Sequence, residues 1–217
     1  MVSGASVISI VYNGGILIGS DTILSSGKML RYNNIQRVHK VTEQCVMIAS
    51  GDYADFQLFQ REIDRVIREQ KVEEYNYQHD AREIHQLVSR IQYNASRRVE
   101  PLYNDVIIAG ITHDAVPYIG SADLQGTSFS SDRYITSGFS LYICQPILEE
   151  KWEENMTQDQ AFELMCELFH VLYARHALQG KEFQVTCVSE DGVETSEKIS
   201  AELNWDWADD VMRFTKV

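Results

Sequence analysis

Long apolar runs are missing from this chain. No stretch of 18 apolar residues occurs in its 217 residues, so no membrane-spanning helix is expected. The N-terminus has no basic segment ahead of an apolar core, so no secretory signal is expected. Proline is scarce, with 3 residues, and glycine numbers only 12, which excludes a collagen-like or linker-rich chain. Positive charge is also short: 19 Lys and Arg stand against 32 Asp and Glu, a formal net charge of −13. That field repels a phosphate backbone and an anionic membrane surface, so neither nucleic acid nor membrane is expected as a partner. The cysteines Cys45, Cys144, Cys166 and Cys187 match no zinc or CxxC spacing and read as reduced thiols of an intracellular protein. His39, His79, His85, His113 and His170 lack metal spacing such as HExxH, so neither a metal nor another cofactor is expected.

What is present suits one compact domain, or at most two, and a single domain over residues 1–217 is the expectation. The apolar content is 44%, and a chain of this length buries roughly 70% of its unfolded surface. Alternation predicts strands at Ser6–Tyr12 and Ile16–Asp21 around a Gly14-Gly15 turn, then at Asn34–Val41 and Cys45–Ser50. The period changes after Gly51. Phe56, Phe59, Ile63, Val66 and Ile67 recur at helical spacing. A second helix is capped by Asp80 with Glu83 three residues on, and Ile84, Leu87, Val88, Ile91 and Ala95 form its apolar stripe. Strands resume at Asp105–Thr112, Val116–Ser121 and Gly126–Ser130. Ser137-Gly138-Phe139 opens a short helix running to about Glu150. Thr157 caps a long helix with Phe162, Met165, Leu168, Phe169 and Leu172 inward. Phe183–Ser189 and Val193–Ile199 pair across Asp191-Gly192, and a helix over Asn204–Phe214 closes the chain. Blocks of strands and helices in this order argue for an α+β fold, and two stacked antiparallel sheets flanked by helices would satisfy every apolar face, although the order alone does not fix that topology. Trp205, Trp207, Val211, Met212 and Phe214 in the last helix suit either a core or a docking surface.

Residues 4–21, Gly-Ala-Ser-Val-Ile-Ser-Ile-Val-Tyr-Asn-Gly-Gly-Ile-Leu-Ile-Gly-Ser-Asp, are the most informative stretch. Taken alone they read as a β-hairpin. Together with Ser50-Gly51-Asp52-Tyr53-Ala54-Asp55-Phe56-Gln57, Arg97-Arg98, Pro101-Leu102-Tyr103-Asn104, Ser137-Gly138, Gln145-Pro146-Ile147-Leu148, Leu172-Tyr173-Ala174-Arg175 and Asn204-Trp205-Asp206-Trp207-Ala208, they resemble the β subunits of the proteasome along almost the whole chain.

The resemblance implies a four-layer αββα sandwich of the N-terminal-nucleophile hydrolase type and a place in a heptameric ring, the seventh β position. It places the family's site residues at Ala5 (nucleophile, a threonine in active members), Asp21 (first aspartate), Arg37 (catalytic lysine), Ser137 (the serine before a glycine), His176 (second aspartate) and Gln179 (a serine). An N-terminal threonine attacks a carbonyl through its side-chain oxygen with its own amine as base. The methyl group of Ala5 can neither do this nor cleave the Gly4–Ala5 bond, and a guanidinium keeps its proton where lysine can shed one. The expectation is therefore a non-enzymatic subunit that keeps residues 1–4, completes a ring of the 20S core, and braces active neighbours in the ubiquitin-dependent pathway of cytoplasm and nucleus. Flanking β subunits, α-ring subunits and β subunits of the opposite ring are the implied partners. A free-standing binding protein and another non-catalytic ring position are the alternatives. Read as plain structure, Asp21 accepts backbone hydrogen bonds at a strand end, Arg37 pairs with it, and His176 is a helix-end histidine favoured by the dipole.

Overall fold

In a computed structural model, residues 1–73, 77–176 and 180–201 are described. One sheet has eight strands: β1 (Ser3–Gly4), β4 (Leu24–Ser26), β5 (Met29–Tyr32), β6 (His39–Thr42), β7 (Cys45–Asp52), β8 (Asn104–Ile111), β9 (Pro117–Ala122) and β10 (Ser128–Ser131). Its order is β10-β9-β8-β7-β1-β4-β5, with β6 also on β7. The other sheet has β2 (Ser6–Tyr12), β3 (Gly15–Asp21), β11 (Tyr134–Gly138), β12 (Glu182–Ser189), β13 (Gly192–Thr195) and β14 (Ile199–Ser200). Its order is β11-β2-β3-β12-β13, with β14 also on β12. Every pairing is antiparallel. The helices are α1 (Tyr53–Glu73), α2 (Ala81–Arg97), α3 (Ser140–Ile143), α4 (Gln145–Lys151) and α5 (Gln158–Arg175).

Three apolar interfaces hold four layers. Val7, Ile16 and Ile18 of one sheet meet Val46, Ile48 and Ile107 of the other. Phe56, Phe59 and Ile63 of α1 and Ile84 and Val88 of α2 cover the outer face of the larger sheet through Met47, Val106 and Ile108. Leu164, Met165, Leu168, Phe169 and Leu172 of α5 cover the smaller sheet through Ile8, Ile10, Leu17 and Phe183. The central strands are apolar on both faces because both faces are covered. Phe169 stacks on Phe183 at 4.3 Å between centroids. This is the αββα sandwich of the N-terminal-nucleophile hydrolases.

The expected capping signals are present. Asp80 accepts from the Arg82 amide while Glu83 takes the Asp80 amide, and Thr157 and Gln160 reciprocate at the start of α5.

Several expectations are corrected. The turn of the first hairpin is Asn13-Gly14, because Gly15 already pairs with Tyr12. Asn34–Val41 is strand only from His39, since Ile35 is drawn to the Thr22 carbonyl and the Arg37 side chain turns inward. Ser137 and Gly138 end strand β11 instead of opening a helix, and the helical stretch beyond divides into α3 and α4 at Cys144. The buried face of α2 is Ala81, Ile84, His85, Val88 and Gln92, rotated from the apolar stripe because His85 and Gln92 find polar partners inside. Phe162 is exposed. Val193–Ile199 is interrupted where the Ser196 hydroxyl takes the Val185 amide. The helix expected at Asn204–Phe214, with Trp205, Trp207, Val211, Met212 and Phe214, lies outside the described residues.

Candidate functional site

Ala5 sits between β1 and β2, where the chain passes from one sheet to the other. Its nitrogen is a peptide amide that donates to Asp21 Oδ2 at 3.3 Å. Asp21 closes β3 opposite Phe183 and is fully buried. Burial pushes its carboxyl above the ordinary aspartate value, and the Arg37 guanidinium is the strongest influence pulling it back.

Arg37 is the largest fully buried side chain among the described residues, 2% exposed. Its Nη1 donates to the Ser6 carbonyl at 3.0 Å and to Asp21 Oδ1, and its Nη2 donates to the Ala49 carbonyl at 2.5 Å. One guanidinium thus joins β2 and β3 of the smaller sheet to β7 of the larger. Three fixed acceptors match its planar fork, and it stays charged. The group passes directly under Gly4, where an added Cβ would lie 2.4 Å from the guanidinium carbon. Gly4 is needed for that close approach.

Ser137 faces Ser50, with 2.5 Å between the two hydroxyl oxygens, at the point where the sheets meet. The next residue, Gly138, has φ 72°, and a Cβ there would stand 1.9 Å from the Ala5 carbonyl oxygen. That carbonyl accepts the Phe139 amide at 3.0 Å, and the Ser140 hydroxyl donates to the Val7 carbonyl at 2.6 Å. The turn after β11 is thereby clamped onto the Ala5 backbone.

His176 caps α5 through its backbone amide, which donates to the Leu172 carbonyl. Its side chain departs from the dipole-favoured cation expected at a helix end. The ring is buried, stacks on Phe139 at 4.0 Å and has no hydrogen-bond partner at either nitrogen among the described residues. Burial lowers its pKa, opposed by the charge of Asp21. Burial thus disfavours a charged ring at the residue that the resemblance assigned to the second aspartate. Gln179 lies outside the described residues.

The structure brings Ala5, Asp21, Arg37, Ser137 and His176 into one neighbourhood. Above Ala5 opens a groove of about 840 Å³, with Phe139, Leu141, Tyr142 and His176 along one side. Met1, Ser3 and Gly4 also line it. Ser3 is opposite Ser25 of β4 and Asp52 of β7, Gly4 is opposite Gly51, and the Val2 carbonyl takes the Tyr53 amide at 2.8 Å. Strand β1, Ser3–Gly4, thus bridges β4 and β7. Sequence reasoning missed β1, Ser50, the Ala49 carbonyl and the Phe139–His176 stack. Only Ser50-Gly51 carried a signal, as a change of period. Among the described residues, no group of three or more His, Cys, Asp or Glu is placed to hold a metal.

This sandwich, with a small residue entering β2 above a buried aspartate and a buried cation, has the build of an N-terminal-nucleophile hydrolase. The chain matches the proteasome subunit family over residues 1–188, and it belongs to that family. It is 34% identical to proteasome subunit beta type-4 of Xenopus laevis, covering 96% of this chain and 86% of the relative. It is 31% identical to the Drosophila melanogaster beta type-4 subunit, over 96% and 78% of the two chains. It is also 27% identical to the beta type-7 subunit of Saccharomyces cerevisiae, over 97% and 83%. A member of this family assembles with other proteasome subunits. No described helix is long and apolar enough to cross a membrane.

Proposed function

We propose that this chain is a non-catalytic β-type subunit of the 20S proteasome core. It completes a β ring, shapes the wall of the proteolytic chamber and braces active neighbours in ubiquitin-dependent protein degradation, in cytoplasm and nucleus. Flanking β subunits, α-ring subunits above and β subunits of the opposite ring are its partners. Neither nucleic acid nor membrane is among them.

The observation that carries the reading is the state of Ala5. A side-chain nucleophile is missing there, its nitrogen is an amide, and the cation below it is a guanidinium held by three acceptors. Asp21, Arg37 and Ser137 serve as structural ties between the sheets. Residues 204–217 are assigned to a helix and tail at a subunit interface, with Trp205, Trp207, Val211, Met212 and Phe214 as contacts. The relatives named beta type-4 support this role.

Native mass spectrometry of the endogenous protein tests the proposal. The expected result is a large multi-subunit particle containing the chain with Gly4–Ala5 uncut. A dominant free monomer of about 25 kDa would overturn it.

A further inference from the structure

One histidine nitrogen is buried without a partner just ahead of α2. The His79 side chain is 10% exposed, and its Nδ1 lies 3.4 Å from Glu83 Oε2. That carboxylate is fixed in place, since Glu83 also accepts from the Tyr77 hydroxyl and, at 3.1 Å, from the Asp80 amide. An anion on this side draws the ring proton to Nδ1 and leaves a lone pair on Nε2. Among the described residues Nε2 has no hydrogen-bond partner. A buried acceptor in that state is costly until a donor reaches it.

His79 forms part of the wall of a cavity of about 430 Å³, where the β6–β7 turn, the start of α2, the β8–β9 turn and the β12–β13 turn meet. Glu43, Asp80 and Glu190 line it, and no Lys or Arg does. Lys40 offsets Glu43 at 2.6 Å, and Arg82 approaches Asp114 on the neighbouring turn at 3.7 Å. Asp80 and Glu190 have no ion pair among the described residues. The Gln44 side-chain amide donates to the Glu190 carbonyl at 2.6 Å, which pins that turn beside the cavity. Ile111 and Ala115 add apolar wall. The cavity lies at the Cys45 end of β7, whereas Ser50 and Gly51 at the other end line the groove above Ala5.

An unpartnered lone pair and negative charge thus share one cavity with a stretch of apolar wall. A metal ion does not match this set, because no three of the described His, Cys, Asp and Glu are placed to hold one. An ammonium group does match it, being a donor of up to three hydrogen bonds with the opposite charge. We propose that this cavity binds a small aliphatic amine. Its ammonium donates to His79 Nε2, Asp80 and Glu190 supply the countercharge, and its methylenes lie on Ile111 and Ala115. The site is separate from the neighbourhood of Ala5 and does not depend on the ring role proposed above.

The test is photolabelling of the full chain, isolated from its cells under native conditions, with a diazirine-bearing alkylamine as probe. Peptide mapping should place the label in residues 42–44, 78–80 or 111–115. Excess diaminobutane should abolish the label, and the same excess of butanediol, of like length but uncharged, should not. His79→Phe should raise the half-saturating probe concentration about tenfold, through loss of one hydrogen bond to a charged group. Glu190→Gln, on an exposed turn, should raise it about threefold. The second variant decides the matter if His79→Phe does not yield a folded chain. Labelling confined to other segments, equal competition by butanediol, or unchanged half-saturation in the folded variants would overturn the proposal. So would a carbodiimide crosslink from Asp80 or Glu190 to a lysine of another chain, since a partner then fills the cavity.

Discussion

Arg37 ties the two sheets together from inside the fold. A lysine at its position could reach one or two acceptors and shed a proton, whereas the guanidinium fills the space under Gly4 and holds three acceptors across both sheets. Replacing it with methionine should destabilise the fold by about 3–5 kcal/mol, because the Asp21 carboxyl is then buried without its cation. The double change Arg37→Met/Asp21→Leu should recover much of that loss. Denaturant unfolding of the four chains gives the coupling, and strictly additive losses would show that the pair does not act as a unit. The same geometry predicts that Ala5→Thr yields no peptidase. A hydroxyl is restored, but Arg37 still cannot accept its proton, and His176 supplies a neutral ring where an anion would be needed. Fluorogenic peptides, assayed in particles whose native active sites are blocked, should turn over no faster than with the unmutated chain.

At the scale of elements, the joint between α2 and β9 turns on one histidine. His85 Nε2 donates to the Ser121 carbonyl at 2.8 Å, so its Nδ1 accepts from the Tyr118 hydroxyl, also at 2.8 Å. The ring is neutral in this arrangement, and burial lowers its pKa from the ordinary value. The unfolded chain therefore takes up the proton more readily, and stability rises with pH across this window. The contribution is complete above about pH 6.5, the ordinary histidine value, and is lost as pH falls from there through the lower folded value. His85→Gln should flatten the slope of the urea midpoint between pH 7 and 5, and an unchanged slope would remove His85 as its source. No apolar periodicity announces this joint. The long helices and central strands were legible because burial stamps a period on them. Strands β1, β4, β5 and β11 were not, since each is short and is specified by distant partners such as Gly51 for Gly4 and Ser6 for Gly138. Roles for Ala5, Asp21, Arg37, Ser137 and His176 were suggested by the family pattern alone, and what the structure adds is their proximity. Nothing local marks Arg37 as internal, and the stacking of His176 on Phe139 depends on two segments far apart in sequence.

At the scale of the whole molecule, the last fourteen residues, 204–217, carry the remaining question of assembly. They lie outside the described residues, so the argument rests on their pattern. At helical spacing Trp205, Ala208 and Met212 share one side, and Trp207, Val211 and Phe214 share another. Two apolar sides need two surfaces to cover them. A second subunit is the natural cover for the outer side, where a buried aromatic anchor often contributes about 2 kcal/mol or more. Truncation after Leu203 should therefore leave a chain that folds and enters half-barrels while full barrels form poorly. The active subunit facing it across the ring interface should lose activity in proportion. Circular dichroism and full-barrel yield, compared with the intact chain, separate the outcomes. Normal barrels with normal peptidase activity would refute the bracing role, and a globally unfolded truncated chain would assign these aromatics to the subunit's own core.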